Sequence, residues 1–390
     1  MLSETHKRIL LINLTVVSAI GAFIRYMYAS GDFMPFLRNL QHAHSHFAFS
    51  GWVSQSLFLL IYLTNTTKQT LSKRQSLLLI AHTICAYGML FSFTAQGYKL
   101  ISIIFSTLSI FIGFALIFNE RLELRKQSGK SGLLLNAAYF FNILSTAGTF
   151  FLAWLTASHS TSTLLKESSI NFYLHFQFNG WFLFACLYIA QNTPGISSNL
   201  SKNKSVLIAL ITATILSFSQ SMLPLTPYPS VFTIAIISTI AQLFFVIHLL
   251  RPVYQATRNK LLSFQERLLI FCGFLLILKL IIQCLSTIPS ITQVYFHNRS
   301  LTIAYLHLIF LLIVTNFILY RLTLNYKKTI QLKSGIVFFN VGILVTEFVL
   351  LVMGTSMFQS VATGNTLLLV GSVIGFAGIV LLATAKKTTT

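Results

Sequence analysis

Long apolar segments alternate with short polar loops along the whole chain. A helix needs about 20 predominantly apolar residues to cross the roughly 30 Å hydrocarbon core of a membrane. Twelve segments reach that length, and the loops between them leave no room for an extramembrane domain. The pattern predicts an all-α polytopic membrane protein, a single transmembrane domain over residues 1–390. The predicted spans lie near 8–29, 40–64, 76–95, 99–119, 132–157, 170–191, 204–223, 230–250, 266–286, 301–320, 335–354 and 364–385.

A sequence motif recurs at intervals of about 130 residues, a third of the chain. The segment HFAFSGW, which begins at His46, returns as HFQFNGW at His175, and YLHLIF around His307 keeps only its beginning. A period this long predicts three copies of one four-helix unit, each with a histidine at the equivalent point. The aromatic part of the motif has a second interpretation, as helix packing around Gly51 and Gly180. The predicted pseudo-repeats cover approximately 1–130, 131–262 and 263–390.

Composition and charge agree with a membrane location. The mean hydropathy is +0.77, and 9% of the residues are charged, against about 25% in soluble domains. The net charge of +20 does not indicate nucleic acid binding, because the basic residues lie in short loops, where they set orientation. With the N-terminus in the cytoplasm, 21 of the 27 basic residues face that side. We therefore predict both termini in the cytoplasm, the inner (cytoplasmic) membrane as location and membrane lipid as a partner. The four basic residues predicted on the other side are Arg38, Lys99, Lys166 and Arg299.

The four cysteines all lie inside predicted spans, where a thiol behaves as a small apolar side chain. Their positions indicate neither a disulfide framework nor a CxxC metal site. They are Cys85, Cys186, Cys272 and Cys284.

Histidines recur at one depth in the second, sixth and tenth spans, which run in the same direction. His46, His175 and His307 each lie about 8–9 Å from the outer end, at 1.5 Å per residue. The second span adds His42, on the same face as His46, and His44, on roughly the opposite face. A lone histidine in a span commonly forms only an interhelical hydrogen bond. Ionisable groups in lipid usually mark a site, however, and imidazole is a frequent ligand of haem iron. The pattern predicts a haem or metal site at this level.

The span number, the three four-helix units and the placement of the histidines together resemble subunit I of the haem–copper oxidase superfamily. That superfamily includes the oxygen reductases and the nitric oxide reductases. The stretch LRNLQH, which ends at His42 and leads into FAF at Phe47, is similar to the family's helix 2, where a histidine ligates the low-spin haem. The resemblance covers the whole chain in architecture. It implies a divergent member that uses a b-type haem for electron transfer or for chemistry on O₂ or NO.

The resemblance also implies ligands and partners. The axial ligands would be His46 or His42, with His44 as the third choice, and His307 on the other side. Arg38 and Arg25, near the outer surface, are either partners of the haem propionates or arginines that snorkel at helix ends. A cytochrome or a quinol would supply electrons, and other membrane subunits would be partners. Whether the chain is itself an oxidoreductase stays open.

Several positions depart from the family pattern. Helix 10 of the family carries H-x-H, whereas the first histidine is replaced here by Tyr305. Tyr305 or Tyr173 is either a phenolate ligand or a tyrosine of the interfacial belt. The family's copper takes a histidine from helix 6, here His175, and two from helix 7, where this chain has none. Asn179 stands where many oxygen reductases carry a tyrosine. The copper site is therefore expected to be incomplete, which leaves His175 for a second metal, a polar pocket or a substrate contact.

Two charges are predicted at the level of His307. Lys279 in the ninth span and Glu347 in the eleventh each lie roughly 20 Å from the inner end. A charge left alone in lipid costs at least ~2.5–3.5 kcal/mol, so we expect the two to pair, either beside the site or only to lock the helices together.

A rival interpretation is a cofactor-free permease or structural subunit that uses a polar intramembrane cavity. Transporters, however, tend to show paired halves and interrupted helices, whereas the repeat here is threefold.

Overall fold

The computed structural model describes residues 2–66, 70–126, 132–192, 204–226, 228–257, 262–324, 330–355 and 360–385. These residues divide into two compact units. Unit 1 contains the residues up to Glu123 and those from Ile303 onward, and unit 2 runs from Leu124 to Thr302. The first boundary between the units lies close to the predicted repeat boundary near residue 130, whereas the second lies about 40 residues beyond the one predicted near residue 262. The single domain with three repeats stays a prediction.

All regular secondary structure of the described residues is helical, as expected where lipid requires every backbone polar group to be satisfied within the chain. Three segments, π1 to π3, are π-helical. In chain order the elements are α1 (Leu2–Ser30), α2 (Leu37–Phe47), π1 (Ala48–Ser54), α3 (Gln55–Asn65), α4 (Lys73–Gln96), α5 (Leu100–Lys126), α6 (Leu133–Ala157), α7 (Thr163–His175), π2 (Phe176–Phe182), α8 (Leu183–Gln191), α9 (Lys204–Leu216), α10 (Phe218–Met222), α11 (Pro229–Thr257), α12 (Phe264–Leu285), α13 (Pro289–His297), α14 (Arg299–His307), π3 (Leu308–Thr315), α15 (Asn316–Thr323), α16 (Ile330–Gly354) and α17 (Val361–Thr384).

Eleven helices within the described residues are long and apolar enough to cross a membrane. The predicted span near 170–191 is helical through α7, π2 and α8, but it carries His175, Gln177 and Asn179 and is not among the eleven. The all-helical, multi-span architecture is confirmed, and its outer apolar side chains are suited to contact lipid. The count of twelve spans stays a prediction.

The three π-helical segments follow the three histidines of the repeated motif. Segment π1 begins two residues after His46, π2 directly after His175 and π3 directly after His307. π-Helical turns are rare and occur frequently at functional sites. The local backbone geometry therefore recurs after all three histidines, including His307, where the sequence motif is the most divergent.

Two of these segments are joined inside unit 1. The indole Nε1 of Trp52 in π1 donates to Thr315 Oγ1 in π3 at 2.8 Å, and Phe49 stacks on Phe310 with ring centroids 4.6 Å apart. Asn13 of α1 donates to the carbonyl of Gly51 at 2.6 Å. These contacts hold the helix of His46 and the helix of His307 against each other on the C-terminal side of the two histidines.

The glycines of the motif allow close packing. A Cβ on Gly51 would lie closer than 3.0 Å to the ring of Phe47, and a Cβ on Gly180 would lie closer than 3.0 Å to Phe141. Substitution of either glycine would force the neighbouring ring to move. The packing interpretation of the aromatic part of the motif therefore has direct structural support.

Candidate functional site

His307 and Glu347 form the centre of the candidate site in unit 1. His307 ends α14, and its Nδ1 lies 2.9 Å from Oε1 of Glu347 on α16. The Glu347 side chain is 11% exposed and the His307 side chain 28% exposed. A carboxylate accepts the hydrogen of Nδ1, which leaves Nε2 as the nitrogen free to bind a ligand. Metal-ligating histidines almost always donate their other ring N–H to a carboxylate, a backbone carbonyl or a water, which fixes the orientation of the ring.

His44 is the histidine of α2 that lies on the same side as His307. Its ring interacts electrostatically with His307 and Arg25, and it also interacts with the backbone carbonyl of Val17. The ring packs beside Gly21 of α1, where a Cβ would lie 3.3 Å from Cε1 of His44. Nδ1 of His44 is buried and has no hydrogen-bond partner among the described residues. An unsatisfied buried nitrogen costs about 1–3 kcal/mol, so this atom is a candidate for an absent ligand.

The other two histidines of α2 face α4. The ring of His46 stacks on Phe93 with centroids 4.3 Å apart, and its Nε2 is hydrogen-bonded to the hydroxyl of Tyr98 at 2.9 Å. His42 meets the same tyrosine edge to face, with centroids 4.9 Å apart. The structure therefore groups His44 with His307, although the resemblance favoured His46 or His42 as the axial ligand.

The two arginines predicted to bind the haem propionates interact with different histidines of α2. Arg38 is exposed and acts electrostatically on His42, whereas Arg25 is half-buried and acts on His44. Tyr305 is half-buried on α14, two residues before His307. Arg25 is thus the positively charged residue that interacts with His44.

His175 lies in unit 2 and is only 3% exposed. Its Nε2 donates to the carbonyl of Thr214 at 2.9 Å, and its Nδ1 accepts from Nδ2 of Asn179 at 3.2 Å and lies 3.4 Å from Ser221 Oγ. Both ring nitrogens therefore have partners. Of the three roles left open for His175, a polar pocket fits this arrangement, whereas a metal would have to displace one of these bonds.

Metal-ligating side chains do not cluster in the part of the chain that the structure describes. No group of three or more histidine, cysteine or acidic residues in it is placed to hold a metal ion. An axial haem site needs only two imidazoles, whereas a copper centre with several histidines needs more.

The two charges expected to pair have other partners. Lys279 Nζ donates to Oε1 of Gln283, one turn further along α12, and the Glu347 carboxylate contacts His307. Glu347 does lie beside His307, as its predicted depth indicated. Each charge has its partner within its own unit, and the ion pair stays a prediction.

A second buried polar cluster of unit 1 was not expected from the sequence. Nδ1 of His82 is 2.6 Å from Gln55 Oε1, and its Nε2 approaches the hydroxyls of Ser50 and Ser109 at 3.4 and 3.3 Å. Glu120, 1% exposed, accepts from Asn65 Nδ2 at 2.6 Å. Polar residues spaced along one face of each span are the signal that could have revealed it. Both nitrogens of His82 are engaged, which makes it a structural residue.

Comparison with known proteins adds no assignment: no protein-family model and no curated protein matches the chain.

Proposed function

We propose that unit 1 binds one b-type haem with His44 and His307 as its axial ligands. The observations that carry the proposal are an electrostatic interaction between His44 and His307, which lie on different helices of the unit, and a ring nitrogen on each that has no hydrogen bond to another described residue. Glu347 holds His307 with Nε2 free, and His44 presents a buried nitrogen that has no partner among the described residues. These residues fit a haem, because bis-imidazole ligation needs one available nitrogen from each of two helices.

The architecture that we propose is that of a divergent haem–copper oxidase subunit I, with twelve spans in three four-helix repeats. A π-helical segment begins one or two residues after each of His46, His175 and His307, and this recurrence supports the proposal. Insertions of this kind persist where they serve a site. The three copies then have separate roles: the first and third supply haem ligands, and the second supplies a polar pocket.

When bound, the haem would supply reversible one-electron chemistry. The residues of the chain would position it. Glu347 fixes the ring of His307, and Arg25 brings positive charge to the His44 side, which suits a propionate. The hydrogen bond from Trp52 to Thr315 would hold the helix of His44 and the helix of His307 in a fixed relative position. A haem held by both His44 and His307 would carry electrons rather than bind a gas, so electron transfer, with a cytochrome or quinol as donor, is the activity that we propose.

Spectroscopy of the purified protein tests the proposal. We expect about one protohaem per chain, with the reduced-minus-oxidised spectrum of a bis-histidine low-spin haem. Haem extraction and metal analysis of the same sample give the stoichiometry, with iron near one per chain and copper far below it. A colourless protein from haem-replete cells would refute the proposal.

Glu347→Gln is expected to weaken haem binding while preserving the low-spin spectrum. The amide still accepts a hydrogen bond from Nδ1 of His307, but it no longer increases the basicity of the ligand. Loss of the hydrogen-bond partner of a ligating histidine typically costs about 10–100-fold in affinity. Haem transfer to an acceptor protein gives the relative affinity. Glu167→Gln, which removes an exposed charge from α7, is the control; an affinity equal to that of this control would remove Glu347 from the site.

A cofactor-free permease or structural subunit is the second candidate. Unit 2 contains a cavity lined in part by polar side chains, which such a protein could use for a small solute. A colourless protein would favour this candidate.

A further inference from the structure

Unit 2 contains a cavity beside the buried amine of Lys279. Its volume, counted as the space open to the centres of water molecules, is about 30 Å³. Five leucines, two phenylalanines and one alanine form the apolar part of the wall. The polar side chains that line it are Asn179, Thr214, Ser217, Gln242, Lys279 and Gln283.

Among the described residues, the buried amine of Lys279 has fewer hydrogen-bond partners than an ammonium group can bind. The side chain is 1% exposed, and Nζ donates one hydrogen bond, to Oε1 of Gln283. An ammonium group has three N–H donors. Gln283 in turn donates to Oε1 of Gln220 at 3.0 Å, so the surroundings of the ammonium are neutral amides.

Neither acid of unit 2 neutralises Lys279. Glu167 is exposed on α7, and Glu266 accepts from the backbone N–H of Ser263 at 2.7 Å in the N-terminal cap of α12. Lys279 follows Glu266 by 13 residues along the same helix, which is about 20 Å at the rise of an α-helix. A buried charge without a counter-charge is costly in protein and in lipid.

A second observation comes from Asn179. Because Nε2–H of His175 donates to the carbonyl of Thr214, Nδ1 of His175 is an acceptor, and Asn179 turns its Nδ2 toward it. Oδ1 of Asn179 is left buried without a hydrogen-bond partner among the described residues. The cavity wall thus contains an ammonium with unused donors and an amide oxygen that can accept a bond.

We propose that this cavity binds a small monovalent anion as the counter-ion of Lys279. A water molecule needs roughly 10–15 Å³ by the same measure of volume, so the space suits two waters, a halide with one water, or hydrogencarbonate. The anion accepts from Lys279 and from the hydroxyl of Ser217, which would turn toward it from the carbonyl of Thr214, its acceptor at 3.1 Å in the structure. The accompanying water, or the O–H of hydrogencarbonate, donates to Asn179. The site lies in unit 2 and does not depend on haem in unit 1.

Thermal unfolding of the purified full chain tests the proposal. At constant ionic strength, we expect a higher Tm in sodium chloride than in sodium gluconate, whose anion is too large for the cavity, and saturation as chloride increases. Hydrogencarbonate, titrated at the same pH, shows which anion binds more tightly. Lys279→Met should abolish the dependence on both anions, and Lys204→Met, at the exposed start of α9, should retain it.

Ser217→Ala provides a milder variant in case Lys279→Met does not fold. We expect it to raise the anion concentration for half-maximal stabilisation about tenfold, because it removes one hydrogen bond to a charged ligand. Equal Tm values of the unaltered protein in chloride, hydrogencarbonate and gluconate would overturn the proposal. Retention of the anion effect in a folded Lys279→Met protein would overturn it too. The haem spectrum of the same samples reports separately on the proposed function.

Discussion

Replacement of His307 by alanine is expected to abolish the low-spin haem spectrum of the purified protein. His307 is the only histidine of α14 beside the site, and its Nδ1 is already oriented by Glu347. At the proposed haem site, loss of this imidazole would remove one of the two iron ligands, and α14 has no other histidine that could replace it. The measurement is the reduced-minus-oxidised spectrum, together with the haem-to-protein ratio after purification.

His44→Ala is expected to have the same effect, whereas His46→Ala and His42→Ala should keep the spectrum. All three positions lie on α2 within five residues, which makes the latter two matched controls. The physical reason is orientation, because His46 and His42 contact Tyr98 and His44 lies on the side of His307. If His46→Ala lost the spectrum and His44→Ala kept it, His46 and not His44 would be the haem ligand on α2. Size-exclusion profiles of all variants show whether a lost spectrum reflects a lost fold.

Gly342→Ala is expected to destabilise unit 1 by about 3 kcal/mol, at the upper end of the usual cost of overpacking. Gly342 lies where α16 meets α17, and a Cβ there would be closer than 3.0 Å to the backbone of Gly371 and Gly375. A backbone cannot rotate away as a side chain can, so the two helices would have to separate. Close contact through small residues is a common basis of helix association in membranes.

Gly113→Ala is the control for this change. Gly113 lies within α5, and a Cβ there would meet nothing within 4 Å. Alanine in a helix interior is more stable than glycine by about 0.5–1 kcal/mol, so this variant should be as stable as the parent protein or slightly more stable. Unfolding curves in detergent measure both variants. Equal stability of the two would mean that α16 and α17 are not in close contact.

The sequence was sufficient for the membrane fold class and for the level of Glu347 relative to His307. Runs of apolar residues long enough to cross a bilayer leave few alternatives to a helix, because lipid offers no hydrogen-bond partner for an open backbone. Depth follows from residue number at 1.5 Å per residue. This simple rule placed Glu347 at the level of His307, and the 2.9 Å contact between them agrees.

The same rule could not determine how each helix is rotated about its own axis. The spacing of His42, His44 and His46 shows that His44 points away from the other two, but not which side faces α14. That choice depends on packing: Phe93 and Tyr98 take up one side of α2, and the absence of a side chain on Gly21 makes room for His44 on the other.

Partner choice was also decided by the tertiary structure. Lys279 and Glu347 were expected at one depth, yet Lys279 contacts a glutamine of its own helix and Glu347 a histidine on α14. Likewise, the sequence marked His175 as a possible ligand, and only the folded unit shows Thr214 and Asn179 on its two nitrogens. Position along a helix is a property of the local chain. The direction in which a side chain points is set by neighbouring helices, some of which are more than a hundred residues away in sequence.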